Sequence, residues 1–226
     1  MARPDIAERN LVIACGALAR EIRALIARAG LDGLDLVCLP ASLHNRPECI
    51  PEAVRARIRE ARGRFRRIFV AYGDCGTGGA LDRVLEEEGV ERIRGPHCYA
   101  FFSGLETFAA AAEVEPASFY LTDFLVRQFD TLVIRGLGLD RHPELLPLYF
   151  GNYRKLVHLA QTDDAALQAK ARNAAQRLGL DYEYRFTGYG ELAGFLERAA
   201  RRNEDGTADP GVLAGHSGPD PRPAGT

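Results

Sequence analysis

Five cysteines and five histidines carry most of the reactive chemistry in this chain, and Cys75 has the most suggestive setting. It lies in the stretch IFVAYGDCGTGGA, residues 68–80, where a strand-like apolar run meets the start of a helical pattern. Gly73, Gly76, Gly78 and Gly79 surround the thiol, so backbone amides can approach whatever sits there. A helix N-terminus adds partial positive charge. A thiolate, an anion or a metal is favoured at such a place. Cys75 is therefore a candidate catalytic thiol, and Gly76, Thr77, Gly78 and Gly79 are a candidate anion-binding stretch. The plainer alternative is a sharp strand-to-helix turn with Cys75 as a small filler. The loop is not a P-loop, because no Gly-Lys-Ser/Thr follows, and it is not GxGxxG.

Other thiols and imidazoles fall at comparable places. Cys15 follows the apolar run 11–14. His44, with Asn45, Glu48 and Cys49, occupies a loop containing three prolines after the run 34–39. His97 and Cys98 follow residues 90–94. If these runs are strands of one parallel sheet, all the positions share its carboxyl edge, where ligand sites form. Zinc takes Cys and His ligands tetrahedrally, and the expected set is Cys15, His44, Cys75 and Cys98. His97 stands as the alternative imidazole ligand and as a catalytic candidate.

No CxxC pair exists, so any metal site must be assembled from distant segments. Three chemistries stay open. Zinc with a free position activates water or deprotonates a substrate thiol. An iron-sulfur cluster would use Cys15, Cys49, Cys75 and Cys98. A metal-free enzyme would use Cys75 as nucleophile with His44 or His97 as base. Cys38, His142 and His158 read as structural, and Tyr99, Phe101 and Phe102 as pocket wall or core.

The elements that must position these groups follow from hydrophobic period. Leu18, Ile22, Leu25, Ile26 and Ala29 recur at helical spacing between strands at 11–14 and 34–39, with Gly30 as C-cap. A helix over 51–62 leads to the strand 67–71, and another over 80–88 stops at Gly89. A fourth strand is expected over 90–94, then helices over 103–112 and 119–129, the latter capped by Thr122 or Asp123. A helix over 143–150, a strand over 155–160, a helix over 163–178, a strand around 182–186 and a helix over 191–201 complete the pattern. This is an α/β chain with a parallel sheet and Rossmann-like layering. A single domain over 1–201 is expected, with sub-lobes 1–115 and 116–201, followed by a disordered Gly- and Pro-rich tail over 202–226.

Bulk composition narrows the classes further. With 29 basic and 31 acidic residues and no basic tract, nucleic-acid binding is not expected. No apolar run reaches the length of a membrane span, and the start lacks the apolar core of a secretory signal, so the expected location is cytoplasmic.

The chain resembles the bacterial and archaeal family called domain of unknown function 1638. The resemblance rests on CGALAREI (15–22), LPASLHNRPE (39–48), YGDCGTGG (72–79), GPHCY (95–99) and FYLTDFLVRQFD (119–130), then on GLDRHPEL and YFGNYRKLVHLAQ. It implies an association with corrinoid-dependent one-carbon metabolism. The expectation is then a metal-dependent methyl or alkyl transferase acting on a small thiol or amine, with a corrinoid protein as a partner. The alternative is a non-catalytic metal-binding or iron-sulfur accessory protein.

Overall fold

The six residues Asn10–Cys15 form β1 and are all buried, as expected for the middle strand of a parallel sheet. In this computed structural model, which describes residues 8–201, the chain divides into two units. The first comprises residues 8–98 with 194–201, and the second residues 99–193. The tail expected over 202–226 lies outside the described residues.

In the first unit β1 pairs in parallel with β2 (Leu34–Leu39) on one side and β3 (Arg67–Ala71) on the other, and β3 pairs with β4 (Glu91–Arg92). The order is therefore β2-β1-β3-β4. Three helices connect these strands: α1 (Ala19–Ala29), α2 (Ile50–Ala61) and α3 (Ala80–Glu88). Ile22 of α1, Val54 and Ile58 of α2 and Leu81 of α3 are fully buried. Each such aliphatic side chain contributes roughly 1.5–3 kcal/mol relative to exposure. Gly30 ends α1 with φ 62 and its amide on the Ile26 carbonyl, a left-handed cap as expected from the sequence. The fourth strand is shorter than expected, two residues at the sheet edge, with Ile93 adding one further bond to Val70 O at 3.0 Å. The loop after β2 folds into two 3-10 turns, Ala41–Asn45 and Pro47–Cys49.

The second unit holds a three-stranded parallel sheet, β5 (Ser118–Thr122), β6 (Lys155–Ala160) and β7 (Asp181–Phe186), in that order. The helix expected over 119–129 is instead β5 followed by α6 (Asp123–Arg127) and a π-helical segment, Phe129–Arg135. The run FYLT is apolar enough for either state, and pairing along β6 decides for strand. Thr122 does cap α6, accepting from the Leu125 amide. Two short helices, α4 (Cys98–Ser103) and α5 (Leu105–Val114), replace the single one expected over 103–112. Gly104, with φ 85, separates them. Then come α7 (Leu146–Phe150), α8 (Ala165–Leu178) and α9 (Gly190–Ala200), the last carrying the chain back to the first unit.

One face of this sheet is core: Leu121, Leu156 and Phe119 pack with Val126, Phe150, Leu167 and Ala171. On the same face His158 is fully buried and meets Asp123 at 3.0 Å, so the structural role read for it from sequence matches its surroundings.

Candidate thiol and imidazole site

The strand order β2-β1-β3-β4 creates a switch point, because the chain leaves β1 toward β2 and returns past β1 to form β3. Ligand sites in open parallel sheets lie at such a point, outside the carboxyl ends of the strands. Cys15 is the last residue of β1, and Tyr72 directly follows β3.

Cys15 is buried at 3% exposure and turns its sulfur toward the start of the 3-10 turn Gly16–Leu18, accepting from the Ala17 amide at 3.3 Å. Gly16 permits this: a Cβ there would sit 2.9 Å from Leu39 O and 3.3 Å from Ala41 N. The close approach brings the loop after β2 over the sulfur. His44 of that loop places Nδ1 3.6 Å from Cys15 Sγ and 3.2 Å from Ala41 O. Its ring stacks on Tyr72, centroids 6.3 Å apart and planes within 15°. The inner edge of the imidazole is drawn out of water, which lowers its pKa, and nearby His97 pushes the same way. The outer edge stays open to solvent.

Cys75 sits beyond β3 with φ 51, a left-handed conformation uncommon for a residue with a side chain. Two backbone bonds hold it there, Asp74 N to Gly95 O at 3.1 Å and Cys75 N to Pro96 O at 2.8 Å. Gly73 lets residues 95–97 come this close, since a Cβ on it would meet Pro96 O at 3.0 Å and both Gly95 O and His97 Cα at 3.1 Å. Burial pushes the Cys75 thiol up to about 12, and the neighbouring Cys15 adds to the effect. Cys15 is itself raised to about 11, again by burial first. Both thiols are therefore protonated near neutral pH, the opposite of an activated nucleophile.

Tyr72 was not singled out by sequence reasoning, although it stands in the YGDCGTGG motif directly after a buried strand. Only 1% exposed, it sets its hydroxyl beside the Cys15 sulfur without reaching full hydrogen-bond geometry. Burial raises its pKa, and the proximity of Cys15 and Cys75 raises it further. A buried hydroxyl without a full hydrogen bond costs stability unless something else satisfies it.

The glycine stretch behaves differently from its sequence expectation. Asp74 occupies it, accepting from Thr77 Oγ1 at 2.7 Å, Gly79 N at 2.8 Å and Gly78 N at 3.1 Å. Burial works against the charge of this carboxylate, but these bonds hold its pKa below the usual range. The protein's own side chain thus takes the Gly78 and Gly79 amides and the Thr77 hydroxyl, three of the groups this stretch would offer an anion.

The remaining candidates have these surroundings. Cys98 opens α4, one residue after His97. Cys49 points toward Glu48, with Sγ 4.0 Å from Oε1. Cys38 lies within β2, in register with Ala14. His142 is exposed and meets Glu144 at 3.1 Å.

The fit to zinc can be tested on these distances. Tetrahedral zinc with a sulfur at ~2.3 Å and a nitrogen at ~2.0 Å holds those two atoms about 3.5 Å apart. The Cys15–His44 separation of 3.6 Å is close to this spacing as well as to a sulfur–nitrogen hydrogen bond, and the donor chemistry is suitable. Two features stand apart from a finished site. Nδ1 must carry a proton to bond Ala41 O and must lose it to bind metal. Among the described residues, no three His, Cys, Asp or Glu side chains are gathered as a metal-holding group.

A family model described as "Protein of unknown function (DUF1638)" matches residues 38–196. The match includes His44, Cys75, His97 and Cys98 and starts after β1, so Cys15 precedes it. Comparison with curated proteins and with solved structures gave no match.

Proposed function

This chain belongs to the DUF1638 family, whose description names no activity, and from its residues we propose that the switch-point pocket of the first unit binds zinc through Cys15, His44 and Cys75. The observation that carries the reading is the 3.6 Å Cys15–His44 pair at the carboxyl ends of β1 and β3. Cys75, in the loop just past β3 and so beside the end of β1, is the third ligand we assign, with Cys98 as the alternative sulfur. His97 is the spare imidazole, close enough to His44 to depress its basicity.

Bound there, zinc would supply a Lewis acid that lowers the pKa of a small bound thiol or amine, whose proton would pass to solvent or to His97 as base. The chain's own groups do the rest. The Ala17 amide and the 3-10 turn fix the Cys15 sulfur. Tyr72 orients the imidazole by stacking and sets its hydroxyl beside the Cys15 sulfur. Burial keeps water away from the reacting atom. The family resemblance, not the geometry, supplies the reaction class in this proposal: a metal-dependent transferase of methyl or alkyl groups, with a corrinoid protein as the partner that supplies or accepts the methyl group. The raised thiols weigh against the metal-free cysteine enzyme, and the orientation of Cys49 toward Glu48 weighs against a four-cysteine iron-sulfur cluster.

Elemental analysis and a visible spectrum of anaerobically purified protein test the reading. The expected result is about one zinc per chain with three protein ligands and no colour, lost in Cys75→Ser and kept in Cys38→Ser. Equal metal in both variants, or none in the wild type, overturns it. A brown protein with iron and sulfide would replace it with the accessory iron-sulfur function.

A further inference from the structure

A cavity of about 310 Å³ opens in the second unit, on the sheet face opposite its hydrophobic core. That is the small end of the range for ligand sites. Phe102 of α4, Phe108 and Ala111 of α5, and Tyr120, Leu159 and Phe186 of the sheet supply its apolar wall. The wall is held in place by ring contacts: Phe108 and Tyr120 lie 5.4 Å apart by centroid, and Tyr99 packs on both at 6.2 and 5.7 Å.

Two observations indicate that this space is unfinished without an occupant. Helix α5, LETFAAAAEV, is largely apolar yet has no buried residue. Phe186, at the end of β7, is 61% exposed. Polar groups are also left over. The Tyr120 hydroxyl is buried beside the Ser118 hydroxyl, the two falling short of full hydrogen-bond geometry, and Ser103 and Thr107, both lining the cavity, make no side-chain hydrogen bond among the described residues.

The charge at the site restricts what can enter. Arg185 lines the cavity and is held by Glu183 and, at 2.8 Å, by Glu115. Lys155 bonds the same two carboxylates at 2.6 and 2.8 Å. Two cations and two anions close on themselves, so an incoming carboxylate finds no spare cation and an incoming ammonium no spare anion. Burying either would cost its hydration without return. A flat ring against aromatic walls gains stacking, and one polar group on it can meet the hydroxyls.

We propose that this cavity is a binding site for a small uncharged aromatic or heteroaromatic molecule bearing one amide or hydroxyl group. It is independent of the thiol pocket and of zinc.

Saturation-transfer NMR on the full chain tests this with four probes: benzamide, benzoate, benzylammonium and cyclohexanecarboxamide. Benzamide is expected to receive saturation strongly and the other three weakly. Ala111→Phe, which fills the cavity from α5, should abolish the benzamide signal. Tyr120→Phe should weaken affinity by about fivefold, the loss of one ordinary hydrogen bond. If Ala111→Phe does not fold, Thr107→Trp closes the same space from an exposed position of the helix. No benzamide signal, equal signals from all four probes, or a signal unchanged in the filled variant overturns the proposal.

Discussion

Asp123 and His158 meet at 3.0 Å with both side chains closed off from solvent. The other oxygen of Asp123 accepts from the Thr162 amide at 3.0 Å and the Thr162 hydroxyl at 2.6 Å, tying the end of β5 to the end of β6. Burial alone would raise the carboxyl, but bonds from His158 and then Thr162 hold it below the usual range. A depressed acid contributes stability that is complete above its unfolded value of about 3.9 and disappears as pH falls through the folded value. Asp123→Ala is expected to cost about 3 kcal/mol in urea unfolding at pH 7, because the buried partners are left unsatisfied. The gap from wild type should narrow below about pH 4. A gap unchanged between pH 7 and pH 3 would show that the charge is not what matters.

Asp74 supplies a second test. Its carboxylate occupies the amides of Gly78 and Gly79. Asp74→Ala should lower stability by about 1–2 kcal/mol, in line with loss of a capping side chain. It should also free those amides. Added sulfate is then expected to raise the thermal midpoint of the variant more than that of wild type. The same sulfate response in both proteins would mean the amides never bind anions.

What could be read in the sequence was mainly what local pattern determines. The buried runs of β1, β2, β3 and β6 and the glycine-stopped helices α1, α3 and α8 follow from period and capping. The order β2-β1-β3-β4 sets the ends of β1 and β3 side by side, which is where Cys15 and the Cys75 loop lie. Residues 119–129 misled because FYLTDFLV is apolar throughout, and only pairing with β6 separates strand from helix. The role of Asp74 was hidden for another reason. Sequence shows that glycine amides are available but cannot show that a neighbouring carboxylate has already turned back onto them. Tyr72 carried no chemical signal of its own in the sequence, and the position of its hydroxyl beside the Cys15 sulfur is visible only once the surrounding atoms are placed.

The thiols give a chemical prediction. In chelator-treated protein, Cys15 at about 11 and Cys75 at about 12 should alkylate slowly at pH 8. A raised thiol pKa means less thiolate at any given pH, so their rates should still be climbing above pH 9. Cys49, in the open loop after β2, is expected to react first. Mass spectrometry of iodoacetamide time courses resolves the three sites. Fast labelling of Cys75 near neutral pH would restore the metal-free nucleophile as the better account of the pocket.

Two tight backbone approaches at the site give the last prediction. A Cβ on Gly73 would lie 3.0 Å from Pro96 O and one on Gly16 2.9 Å from Leu39 O, so a methyl group at either position must push rigid backbone aside. Each contact brings one part of the site inward: Gly73 seats the 95–97 segment against the Cys75 loop, and Gly16 seats the His44 loop over Cys15. Gly73→Ala and Gly16→Ala should each cost about 1–3 kcal/mol by overpacking. Both should lower zinc content if the ligands are those named. Gly33→Ala is the control, with nothing within 4 Å of its added Cβ, and is expected to be neutral or stabilising by up to about 1 kcal/mol through the unfolded chain. Thermal midpoints and metal content of the three variants, measured together, separate the two effects. Loss of stability with full zinc retention in Gly16→Ala would remove His44 from the ligand set, because its loop would have moved away from Cys15 without consequence.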